Sequence, residues 1–137
     1  MISAIYVDTG FWIALLDAKD SQHSNAIKIL NGTFEGNEIV TSESVVGETV
    51  TYLNCSLKRH DLAVAFLDHL DASPLRLLED DPTTRTEARE ILRRYGDNPL
   101  SYTDCVSFAL MRKHKVNRFA GYDRHFAMMG FQPVAGG

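Results

Sequence analysis

Apolar residues fall along this chain in two alternating rhythms. Short unbroken apolar runs are separated by longer stretches in which apolar residues return every three to four positions. Ile2 to Val7 is a run of the first kind and predicts a buried strand, ended by the turn residues Asp8-Thr9-Gly10. Phe11 to Asp17 predicts a short helix packed on the sheet, with Phe11 and Trp12 in the core. Ser21 to Leu30 predicts a second helix, capped by Ser21, stopped at Asn31-Gly32 and turning Ala26, Ile27 and Leu30 inward.

Glu38 to Thr41 predicts a second strand, and Ser42 opens the clearest helix, running to about Arg59. Its positions Val45, Val46, Thr49, Val50, Leu53 and Leu57 form one core-facing stripe. A further helix over Asp61 to Leu70 buries Leu62, Phe66 and Leu70, and Leu75 to Glu79 predicts a third strand. Asp80-Asp81-Pro82 opens a basic helix over Thr84 to Tyr95, closed by Gly96. Ser101 or Thr103 caps a helix to about His114 with Val106, Ala109 and Leu110 inward. Arg118 to Tyr122 predicts a fourth strand, Asp123 to Met129 a turn and short helix, and Phe131 to Val134 a last strand.

Strands alternating with helices predict an α/β fold, a mostly parallel sheet of four to five strands with helices on both faces. No linker, repeat or low-complexity tract interrupts the pattern, so residues 1–137 read as a single domain with Ala135-Gly136-Gly137 as a loose tail. The 137 residues suffice to bury a core without disulfide or structural metal. Cys55 and Cys105 fit no metal or redox spacing; they read as buried packing residues in a reducing, cytoplasmic setting. The segment Met1 to Val7 lacks a basic n-region, so no signal peptide is expected, and charges interrupt every apolar run before it reaches membrane-spanning length.

Charge changes the picture by its distribution. The net charge is −4, with −5 on residues 1–57 and +1 on the rest. A mildly acidic chain is a poor non-specific partner for polyanions, because phosphate affinity comes from counterion release by Lys and Arg. Ligands of open α/β sheets bind beyond the carboxyl ends of the strands. Asp8 follows the first predicted strand and Asp123 the fourth, while Asp104 lies in the first turn of the helix between Ser101 and His114. Glu48 falls about 60° outside the apolar arc of its helix, bordering the core without entering it.

Acids gathered at one sheet end repel one another and raise each other's pKa unless a cation neutralises them. Hard oxygen ligands of this kind suit Mg²⁺ or Mn²⁺, which would also attract a phosphate that bare acids repel. Taken singly, each acid also reads as a cap or a solvated side chain. His23, His60, His69, His114 and His125 show no HxH or HExxH spacing and read as solvated or capping. Arg85, Arg89 and Arg93 recur every four residues on one helical face, either solvated or in contact with RNA.

Four segments carry a family resemblance: Tyr6-Val7-Asp8-Thr9, Ser42-Glu43-Ser44-Val45-Val46-Gly47-Glu48-Thr49, Leu100-Ser101-Tyr102-Thr103-Asp104-Cys105 and Gly121-Tyr122-Asp123-Arg124-His125-Phe126. In order and spacing they resemble the four acidic motifs of PIN-domain ribonucleases, over residues 2 to about 134. The resemblance implies a three-layer α/β/α sandwich, Mg²⁺- or Mn²⁺-dependent endoribonuclease activity and a homodimer. It also implies the toxin role in a type II toxin–antitoxin pair, with an antitoxin peptide filling the acidic crevice. Where the family often has Ser or Thr two residues before its fourth acid, this chain has Gly121, which weakens the expected support for Asp123.

On this reading Asp8 and Asp104 are metal ligands, Asp123 is a ligand directly or through water, and Glu48 serves a second ion or the attacking water. Thr9 and Thr103 would hold the carboxylates in place. Arg85, Arg89, Arg93, Arg112, Lys113 and Lys115 are candidate RNA contacts. Two other readings stay open. A metal-dependent phosphatase would use Asp8 as nucleophile, although Asp8-Thr9-Gly10 lacks the second Asp of a DxD pair. A non-catalytic RNA-binding or scaffold protein would have little reason to keep four mutually repelling acids.

Overall fold

Four consecutive residues, Ala4–Val7, form the central strand β1, and Ile5, Tyr6 and Val7 are wholly buried. A strand covered on both faces needs such a continuous apolar run. The computed structural model describes residues 3–134; the expected contribution of Ile2 to β1 and the tail Ala135 to Gly137 lie outside them.

The order along the chain is β1, α1 (Thr9–Leu16), α2 (His23–Gly32), β2 (Glu38–Ser42) and α3 (Glu43–Thr51), which runs on into a π-helical turn at Tyr52–Ser56. Then follow α4 (His60–Ala72), β3 (Arg76–Leu78), α5 (Pro82–Arg94), α6 (Tyr102–Lys113), β4 (Arg118–Ala120), α7 (Arg124–Met128) and β5 (Gln132–Pro133). The five strands make an all-parallel sheet in the order β3-β2-β1-β4-β5, flanked by helices. Chain order reverses beside β1: β2 and β3 build outward on one side, β4 and β5 on the other. That reversal places a crevice between the carboxyl ends of β1 and β4. Pro133, which has no N–H to donate, is confined to the edge strand β5.

Two features anchor the crevice floor. Every residue of α6 from Asp104 to Met111 is buried, as in a helix packed on all sides. Beneath the crevice, the buried Tyr6 hydroxyl bonds Ser42 Oγ at 2.9 Å and Ser107 Oγ at 2.7 Å, tying β1 to the start of α3 and the middle of α6. No described helix is long and apolar enough to cross a membrane.

Several expectations need correction. Ser21 does not cap α2; Asp20 Oδ1 accepts the Gln22 N–H at 2.8 Å in the turn before the helix, and Ile29 joins Ala26 as its buried face, with Ile27 and Leu30 only half-buried. The helix from Ser42 is not α-helical to Arg59. The Leu57 N–H reaches the Tyr52 carbonyl five residues back, and Lys58 turns left-handed at φ 55° to end it. Cys55 is exposed rather than packed, since it lies about 80° outside the apolar arc. Cys105 is buried, and Ala63 joins Phe66 as the buried face of α4.

Candidate functional site

Three carboxylates enter the crevice from three element starts. Asp8 ends β1 and stands at the N-cap of α1, where its carbonyl accepts the Phe11 and Trp12 N–H groups. A capping aspartate ordinarily also accepts with its side chain. Here it does not, and Asp8 Oδ1 is buried without any hydrogen-bond partner.

Asp104 is the third residue of α6. Its N–H donates to Ser101 Oγ at 3.0 Å while its Oδ2 accepts the Ser101 N–H at 3.0 Å, a reciprocal capping box. The cap fixes the carboxylate but engages only one of its oxygens. Asp123 caps α7, with Oδ1 accepting from the His125 N–H at 2.9 Å and lying 2.8 Å from His125 Nδ1.

Ligand atoms of Asp104, Asp123 and His125 all lie within 4.8 Å of one another. Asp8 is outside that trio but coupled to it: burial raises its pKa to about 7, partly offset by the Thr9 backbone N–H, and the charges of Asp104, Glu48 and Asp123 add to the rise. Burial also raises the pKa of Asp104, reinforced by Asp123 and Glu48 and opposed by Ser101. Glu48 is half-buried on α3 and lines an open shelf with Gly47, Thr51, Tyr52 and Thr103.

Thr103 therefore stands beside Glu48, while the Thr9 hydroxyl is buried without a partner. Ser101 and His125 provide the side-chain support that the sequence assigned to the two threonines. His125 is the residue sequence reasoning missed: it is 8% exposed, neither solvated nor a cap. Its signal was available, because a side chain two residues after an N-cap aspartate shares the first helical turn with that carboxylate.

The candidate RNA contacts lie elsewhere. Arg85 bonds the Asp80 carbonyl, Arg93 pairs with Glu90 at 2.6 Å, Arg112 with Glu87 at 3.5 Å and Lys113 with Asp81. Arg89 is exposed on α5. Arg112 and Lys113 follow Asp104 by eight and nine residues, which puts them about 12 Å or more along the axis of α6, and Lys115 lies just past its end.

The residues fit a divalent cation. Among the described residues, six buried side-chain polar atoms lack a partner, and three of them, on Asp8, Thr9 and His125, belong to this rim. Buried unsatisfied groups are rare in native folds and concentrate where a ligand completes them. A donor set of carboxylate oxygens suits Mg²⁺ or Mn²⁺.

Comparison with known proteins points the same way. Residues 5–132 match the PIN domain model. The chain is 33% identical over 132 residues to the 23S rRNA-specific endonuclease VapC20 of Mycobacterium tuberculosis, covering 95% of this chain and 97% of that one. It is 25% identical to Ribonuclease VapC13 of the same organism, covering 89% and 92%. The crystal structure of VapC20, described as a Sarcin-Ricin loop cleaving toxin, superposes with a TM-score of 0.85 over 95% of this chain and 98% of that one. FitAcB from Neisseria gonorrhoeae, 14% identical, shares the fold at a TM-score of 0.65 over 96% and 97%.

Proposed function

The chain belongs to the PIN-domain family, among its VapC-like toxin ribonucleases, and from that premise we propose that it hydrolyses RNA at the rim formed by Asp8, Asp104, Asp123 and Glu48. The observation that carries this reading is the buried Asp8 carboxylate, without a partner for Oδ1 and surrounded by like charge. Among the described residues no cation pairs with it, so its ionised form is costly to the free protein and is stabilised by a bound positive charge.

Asp8, Asp104 and Asp123 would hold the ion, Mg²⁺ or Mn²⁺. When bound, it supplies charge that draws in the phosphate and lowers the pKa of water. Ser101 keeps Asp104 in place, and the buried end of β1 keeps Asp8 from swinging away. Hydrolysis joins the oxygen of one water to phosphorus and breaks one P–O ester bond. Glu48 accepts the proton that the water gives up, and the departing oxygen gains one from solvent.

The substrate class we infer is ribosomal RNA, by similarity to VapC20. Arg85, Arg89, Arg93, Arg112, Lys113 and Lys115 would hold the flanking strand, since the exposed ion pairs of Arg93, Arg112 and Lys113 are weak enough to exchange for phosphate. Charge reversal of two of them should weaken binding and flatten its salt dependence without moving the cleavage site. An antitoxin that covers the acidic crevice and a homodimeric assembly complete the proposal.

The test is incubation of the purified protein with intact ribosomes or ribosomal RNA and Mn²⁺, with cleavage ends mapped by primer extension. The reading predicts discrete cuts that EDTA abolishes. RNA left intact with metal present, or cleavage unchanged by EDTA, would overturn it.

A further inference from the structure

We propose that His125 is the positioning residue for Asp123, holding its carboxylate in the orientation that brings it within 4.8 Å of Asp104. The inference rests on the metal reading of this rim and goes beyond it, because it assigns the geometry of one ligand to a residue outside the acidic quartet. Asp123 is the most exposed of the three aspartates, with 30% of its side chain accessible, and little packing fixes its rotamer. Among the described residues, both contacts to Oδ1 come from His125: its backbone N–H donates at 2.9 Å, and its ring Nδ1 lies 2.8 Å from the same oxygen.

A helix start needs only the first of these, since a backbone N–H is what an N-cap side chain ordinarily satisfies. The second contact comes with the burial of an imidazole whose Nε2 has no partner, which a cap alone does not require. Among the described residues, no other hydrogen bond or ion pair reaches that oxygen. Gly121, two residues upstream, has no side chain, and a Cβ there would sit 3.1 Å from Asp8 Cβ.

The imidazole in turn is held firmly. The next residue, Phe126, is fully buried and packs on Phe108, Phe119 and Tyr6 at ring-centroid distances of 4.8, 4.9 and 6.4 Å. A ring anchored this way transmits the rigidity of the core to an otherwise loosely held ligand. Residues that orient metal ligands typically change affinity 10- to 100-fold when replaced.

The test is Mn²⁺ affinity by calorimetry, in the absence of RNA, for wild type, His125→Asn, His125→Leu and each substitution combined with Asp123→Asn. The unliganded Tm of every variant is measured alongside. His125→Leu should weaken Mn²⁺ binding at least tenfold, whereas His125→Asn, whose amide can still donate, should stay within about threefold of wild type. In the Asp123→Asn background, His125→Leu should cause no further loss. Wild-type affinity in a folded His125→Leu protein would overturn the proposal. So would an undiminished loss in the Asp123→Asn background, which would mean that His125 acts on the metal directly. If His125→Leu fails to fold, His125→Asn decides alone, since a drop of tenfold or more there also contradicts the proposal. Absence of Mn²⁺ binding by wild type would overturn the metal reading itself, and this inference with it.

Discussion

Asp81 and Asp8 both open helices in this protein and meet opposite fates. Asp81 caps α5 with Oδ1 accepting the Thr84 N–H at 2.8 Å, and its carboxylate also pairs with Lys113. That lysine, with the cap bonds, holds the Asp81 carboxyl well below the usual range. Asp8 stands at the equivalent place on α1, makes no side-chain cap bond, leaves Oδ1 unpartnered and has its pKa raised to about 7. Helix position is therefore no guide to function. The difference lies in satisfaction: one carboxylate finds its partners within the chain, while the other leaves Oδ1 without one.

The largest expected effect is on activity. Asp8→Asn should reduce RNA cleavage on the order of 10³-fold, comparable to loss of a preorganised electrostatic group, with the fold intact by circular dichroism. Asp81→Asn should leave cleavage unchanged and lower Tm instead. Cleavage lost equally in both variants would erase the contrast.

Metal sharpens the same comparison. Mn²⁺ at 100 times its dissociation constant should add about 2.7 kcal/mol to the stability of wild type and of Asp81→Asn. Thermal unfolding should show no such gain for Asp8→Asn.

Protons provide the third test. The folded-state pKa of Asp8 lies above its ordinary 3.8, so the folded protein binds more protons than the unfolded chain between about pH 4 and 7. The contribution of Asp8 to metal-free stability is full below that window and is lost as pH rises through it. Denaturant titrations should show this fall in wild type but not in Asp8→Asn. An identical pH profile for the two would show that Asp8 is not the group responsible.

The smallest effect should come from Gly121→Ala. The added Cβ would approach Asp8 Cβ at 3.1 Å, so either β4 or the Asp8 side chain must give by a few tenths of an ångström. Cleavage should fall by about tenfold, since displacement of a catalytic group by 1 Å can cost about 10². Unchanged activity would mean that the site tolerates movement of Asp8.

Much of this was legible in the sequence, for identifiable reasons. The strands declared themselves because a parallel sheet covered on both faces demands apolar runs such as Ile5-Tyr6-Val7. The cap of α6 was legible only as a choice between Ser101 and Thr103, and the reciprocal Ser101–Asp104 bonds settle it on Ser101. The π-turn at Tyr52–Ser56 was invisible, because each α-bond it replaces is locally just as good and tertiary packing decides between them. The start of α2 is ambiguous in the sequence, because Asp20 and Ser21 are both competent turn residues and only the backbone path selects Asp20. His125 is hidden in the sequence because it fits no histidine metal motif, and its signal is the aspartate two residues before it.

The account turns on whether the unpartnered acids exist to receive a cation, and calorimetric titration of Mn²⁺ at pH 6 in two buffers of different ionisation enthalpy tests this most directly. Wild type should bind Mn²⁺ and release a proton, because Asp8 is largely protonated below its pKa of about 7 and must ionise to ligate. Asp8→Asn should bind far more weakly and release none. Equal binding by the two proteins, or binding with no proton released by wild type, would contradict the assignment of Asp8 as the metal ligand at the centre of the site.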